Sequence, residues 1–176
     1  MRLFHRRDSP PTDALAHLDA DERVVSWADT PSGAVVLATP RGLWWPTENA
    51  PRLIGWQQVA KAVGRDGGLT LTEAEIVDDL LMVERRPVAA ELSVPRDLPP
   101  TVRKRVEANI VRSELAPVPG GSARFVARRI PGQDGVRWWA RLEAGTPDTG
   151  QVRSSVAARL ASLRADWERE QPDQRW

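Results

Sequence analysis

The residues best placed to do chemistry in this chain are arginines and indoles on a predicted hairpin over residues 123–143. In an extended chain alternate side chains share a face. Arg124 and Arg128 therefore fall on one side of its first strand, and Arg137, Trp139 and Arg141 on one side of its second. Pairing that aligns those sides would create an Arg/Trp surface for an anion or a nucleic-acid backbone, with Trp139 as a stacking platform. The competing reading is a solvated sheet face whose Arg stems cover the indole, with Glu143 and neighbouring acids as ion-pair partners.

Other chemistries find little support. Cysteine is absent, which excludes disulfides, thiolate metal sites and a Cys nucleophile. Tyrosine is absent too, and the only histidines are His5 and His17, too few for a His-based triad or a multi-histidine metal site. Gly64-Arg65-Asp66-Gly67-Gly68 and Pro119-Gly120-Gly121-Ser122 lack phosphate-loop spacing and read as turns. Asp78-Asp79, like Asp19, Asp21 and Glu22, lacks the spacing of a calcium loop and reads as a solvated edge. Ser154-Ser155 falls in a helix without a nearby base, and His17 reads as a surface residue. The expectation is no catalytic residue, no cofactor and no metal, hence no enzyme.

Composition points the same way. The chain has 176 residues, 41% of them hydrophobic and 28% charged, which suits one folded domain with an ordinary surface. A net charge of +1 gives no global pull toward nucleic acid or membranes. Lys61 and Lys104 are the only lysines among many arginines. No apolar run approaches the ~20 residues of a membrane span, and the first residues lack the apolar core of a secretory signal, so the expected location is cytoplasmic.

These residues must be positioned by short, turn-punctuated elements. Residues 1–11 read as a mobile arm, followed by a short helix with Leu15 and Leu18 on one side. A strand over 23–28, with Val25 and Trp27 on one face, leads through Asp29-Thr30-Pro31-Ser32-Gly33 into a buried strand over 34–39. Leu43-Trp44-Trp45 resumes the sheet after Pro40-Arg41-Gly42. Residues 52–63 keep a two-residue beat only with a slip, as at a bulge, and Asp66-Gly67 predicts a tight hairpin. Two strands broken at Pro87 fill 77–94, and the spacing of Val102, Val106 and Ile110 predicts a helix over 97–115. The last helix is predicted over 149–167, with Val152, Val156, Leu160, Leu163 and Trp167 on one stripe. Alternation leaves one indole of Trp44/Trp45 and one of Trp138/Trp139 facing outward.

At Val36 to Leu43, Trp44 and Trp45, then Ile54, Trp56 and Val59, the chain resembles bacterial pleckstrin-homology-like (PH-like) domains over roughly residues 23–76. From Val94 onward it is also similar to bacterial proteins of this size without an assigned activity. The resemblance implies an α+β fold, an antiparallel PH-like barrel or sandwich capped by the C-terminal amphipathic helix; the helix predicted before the last hairpin is an added element that departs from the family's order. The implied organisation is an arm and short helix over 1–22, one domain over 23–170 (divisible into 23–94 and 95–170), and a frayed tail over 171–176. The first hairpin carries Arg23 as its basic residue, so phosphoinositide binding is not expected. The expected function is a non-enzymatic protein-binding or scaffold module. The alternative is a weak nucleic-acid or anion binder using Arg124, Arg128, Arg137, Trp139 and Arg141.

Overall fold

The computed structural model describes residues 9–171. His5, most of the expected arm and residues 172–176 of the expected tail lie outside that span. After α1 (Thr12–Leu15), the strands β1 (Ser26–Asp29), β2 (Val35–Ala38), β3 (Gly42–Trp45) and β4 (Arg52–Gly55) pair antiparallel in sequence order. Strand β1 begins only at Ser26, leaving Val25 exposed while Trp27 is buried. Val36, Leu37 and Ala38 are buried, as a central strand covered on both sides requires.

Gly42 is needed for space. It stands opposite Gly55, and a Cβ built on it would lie 2.2 Å from the Ile54 carbonyl oxygen. Main chain cannot swing aside as a side-chain tip can. Gly42→Ala should therefore destabilise by about 1–3 kcal/mol, the usual cost of overpacking, read as a shift in the urea midpoint.

A 3-10 turn at Trp56–Gln58 interrupts the strand beat expected over 52–63. Strand β5 (Val59–Arg65) follows, with the anticipated slip in register between Val59 and Lys61. Asp66 (φ 48°) and Gly67 (φ 77°) then turn the chain into β6 (Gly68–Val77). Two successive positive φ values give the primed turn whose twist suits a hairpin. Both β7 (Leu81–Glu84) and β8 (Val88–Glu91) pair with β6, as strands broken near Pro87 should.

The helix expected over 97–115 is α2 (Leu98–Asn109), and it stops early. Ile110 continues the four-residue spacing of Val102 and Val106 but opens β9 (Ile110–Val118), which lies along β10 (Gly121–Arg128). Pairing with β10 prevails there over helical periodicity, and Ile110 is left exposed. Strand β11 (Arg137–Leu142) completes the second hairpin, and α3 (Gly150–Glu170) follows with the Thr149 hydroxyl accepting from the Val152 amide.

The longer sheet runs β5-β6-β7-β11-β10-β9, with β8 also on β6, and curls into a half-barrel. Its β7–β11 contact is parallel, so the sheet is mixed. The packing corrects the expected roles of the two helices. Leu98, Val102 and Val106 of α2 pack with Val36, Leu43, Ile54, Trp56 and Leu71, so α2 closes the first core. Helix α3 lays Val152, Val156, Leu160 and Leu163 on Phe125, Trp138 and Ala140, so it covers a second core. Ala74, Met82, Val126 and Trp139 form a smaller cluster, joined by Ala60 of β5, where the curled sheet closes on itself.

Candidate functional site: an Arg/Trp joint and the groove beside it

The hairpin register places Arg124 opposite Arg141, Val126 opposite Trp139 and Arg128 opposite Arg137. The sequence-predicted residues therefore do share one face. At Trp139 and Arg128 that face is turned inward. Trp139 is only 4% exposed and packs on Met82 and Ala74, which leaves no open indole for stacking. Both Trp138 and Trp139 are buried, against the expectation that one would face outward, because α3 covers one side of β11 and the joint covers the other.

Arg128, also 4% exposed, donates from Nη1 to the carbonyls of Val59 (2.8 Å), Trp56 (3.3 Å) and Gln57 (3.5 Å). No carboxylate offsets its charge among these partners. Burial, and secondarily the charge of Arg141, lower its pKa to about 10, so it remains a cation at neutral pH. Arg124 donates to Glu143 (3.2 Å), and Arg141 to Glu84 (2.9 Å). Arg137 stands exposed at the hairpin end. Trp139 and Arg128 thus act as a joint between the two cores, with Arg124 and Arg141 ion-paired beside it.

Asp78 and Asp79, read from sequence as a solvated edge, tie the β6–β7 turn into that joint. Both have positive φ, 55° and 49°. Such backbone costs non-glycine residues about 1–3 kcal/mol each and persists where the surroundings hold it. Trp139 Nε1 donates to Asp79 Oδ1 (3.0 Å), and Arg153 Nη1 of α3 donates to Asp78 Oδ2 (2.6 Å). Arg153 also donates from Nε to Asp148 Oδ1 (2.7 Å). That bond holds the Asp148 carboxyl below its ordinary pKa and raises Arg153 further. A lowered folded pKa contributes stability that is complete above the unfolded value of about 3.9 and is lost as pH falls through the folded one. The protection of amides in the first turn of α3, taken relative to their intrinsic exchange rate at each pH, should accordingly fall below about pH 4, and Asp148→Asn should flatten that dependence.

Beside the joint, β7 and β11 share the single register pair Leu81–Ala140, and the Ala140 amide donates to the Leu80 carbonyl (3.0 Å). Beside that pair lies a groove of about 630 Å³. Leu81, Met82, Val83 and Glu84 line one wall, and Arg141, Leu142, Glu143 and Ala144 the other, with Lys61 and Asp148 at the rim. Val83 is 45% exposed. Of these residues the sequence reading singled out Arg141 as a binding candidate and Glu143 as its ion-pair partner. An exposed valine in a four-residue strand is a weak signal until the neighbouring strand is known.

On the opposite side of the first core, Trp44 is half-buried, its Nε1 donating to Glu22 Oε1 (3.0 Å), and His17 lies against it (6.4 Å between rings). Among the described residues no group of three or more His, Cys, Asp or Glu is arranged to hold a metal ion, and no helix is long and apolar enough to cross a membrane. Compared with family models, curated proteins and solved structures, the chain matches none of them.

Proposed function

We propose that this protein is a non-enzymatic protein-binding or scaffold module, built on a PH-like antiparallel barrel. Two features support the barrel: β1 to β4 face β5, β6 and β8 across one core, and α2 closes it. A single observation carries the binding role, the groove between β7 and β11 with its exposed Val83. Exposed apolar surface is what protein partners cover. The polyanion alternative has no comparable support, since Trp139 and Arg128 are buried and Arg124 and Arg141 are ion-paired. A photo-crosslinking amino acid at position 83 should capture polypeptide in cells, with adducts that survive nuclease. The same probe at Arg65, in the exposed tight turn, should not. Equal labelling at both positions, or nuclease-sensitive adducts, would remove the proposal.

A further inference from the structure

We infer that β9 is a docking edge for a second copy of this chain, paired antiparallel about a two-fold axis at Ser113. The inference is independent of the groove at Val83 and concerns the end strand of the same sheet. Strand β9 pairs with β10 alone, and at nine residues it is the longest strand bonded on one side only. Strand β5, next at seven residues, has α2 lying against it. The direction of the free groups follows from Ser122. The Ser122 amide donates to Thr146 Oγ1 (3.1 Å) and its carbonyl accepts from the Glu143 amide (3.0 Å), both on the side of β11. Its pair with Pro117 is therefore one without hydrogen bonds, and the Pro117 main chain points outward. Such pairs alternate along an antiparallel ladder. The register is unbroken from Val118 to Arg112, so Ser113 and Leu115 also point their N–H and C=O groups outward. Those groups meet no hydrogen-bond partner among the described residues.

An open edge is usually blunted by a proline, a bulge or a charge. In β9 Pro117 and the register slip beside Ile110 lie at the two ends, leaving 112–116 regular. Leu115, 55% exposed, is the most exposed large apolar side chain among the described residues. Charge selects the occupant. Arg112 and Glu114 pair with Glu170 (2.6 Å) and Arg159 (2.5 Å) of α3, yet stay 39% and 31% exposed. With the two-fold axis at Ser113, Arg112 of each chain stands opposite Glu114 of the other. Moving the axis to Glu114 sets two carboxylates face to face, and like charges directly opposite are destabilising. Moving it to Leu115 brings Pro117, which has no N–H, against Ser113. The strand is thus complementary to itself in one register, and its partner is a second copy. Two copies joined there carry two β7–β11 grooves, which raises the avidity of a scaffold.

The test is the mass of the full chain in solution, by sedimentation across a concentration series. A dimer of twice the 19.5 kDa chain mass is expected. Its Ser113 and Leu115 amides should exchange about tenfold more slowly than in the monomer. Ser113→Pro removes an outward amide and leaves the β10 ladder whole, as Pro117 already does. Leu115→Lys adds the kind of exposed charge that blunts an edge. Each should weaken the dimer at least about tenfold, with the circular dichroism spectrum unchanged. The chain has no cysteine, so Ser113→Cys supplies one thiol per chain. Facing Cα atoms in a hydrogen-bonded pair are about 5.5 Å apart, within disulfide reach. Mild oxidation should therefore trap a linked dimer from Ser113→Cys and none from Arg65→Cys, in the exposed tight turn. A chain that stays monomeric at millimolar concentration would overturn the inference. So would a dimer that survives both edge variants, or one that Ser113→Cys fails to link.

Discussion

Trp138→Ala will destabilise the protein by about 3–5 kcal/mol, the range for emptying a buried aromatic site. Trp138 is 2% exposed, packs among Phe125, Val156 and Leu160, and meets Trp167 edge-on at 6.4 Å. Its Nε1 has no hydrogen-bond partner, so the loss is one of packing. That separates two substitutions cleanly. Trp138→Phe keeps most of the ring and removes a buried unpaired N–H, so it should cost far less than Ala. Small domains hold about 5–15 kcal/mol in total, so the Ala variant should lose a large part of its urea midpoint. Equal, small shifts for Phe and Ala would mean that α3 does not cover a packed core.

Arg128→Met carries the second large effect, expected at about 2 kcal/mol of destabilisation, with two opposing contributions deciding its sign. Removing the guanidinium relieves the cost of a buried cation with no carboxylate partner. It also strips the Val59, Trp56 and Gln57 carbonyls of a donor in a place water does not reach. Burial and the charge of Arg141 lower the pKa of Arg128 to about 10, so it is charged at neutral pH, and its loss takes a charged donor from three carbonyls at once. The carbonyls should therefore prevail and the variant should be weaker. Arg128→Lys should fall between, because all three bonds come from Nη1 and an ammonium keeps the charge and three donors but sits on a shorter stem. Denaturant titrations of the three proteins give the order directly. A methionine variant more stable than the parent would mean the cation is a burden on the fold.

Local chemistry made part of this architecture legible. Asp66-Gly67 specified its own hairpin, Val152 to Leu163 announced the buried stripe of α3, and the alternation of Arg124, Arg128, Trp139 and Arg141 placed them on a common face. Four features were not legible, each for a long-range reason. Ile110 keeps helical spacing with Val106, and only pairing with Arg128 on β10 draws it into a strand. Leu98, Val102 and Val106 mark an apolar helix face without saying which core receives it. Arg128 and Trp139 look like ligand-binding side chains until β5, the turn at Trp56–Gln58 and Asp79 arrive on top of them. The groove was equally hidden, since it is lined by β7 and β11, which are distant in sequence.

The central claim is that the Arg/Trp face is an internal joint. Its most direct test is fluorine NMR of protein labelled with 5-fluorotryptophan, with the Trp139 resonance assigned through Trp139→Phe. The expected result is a Trp139 signal with no H₂O/D₂O solvent isotope shift, unmoved by heparin at low salt and exposed to solvent in Arg128→Met. A full solvent shift in the unmodified protein, or movement on adding heparin, would contradict the joint and return the face to an open surface.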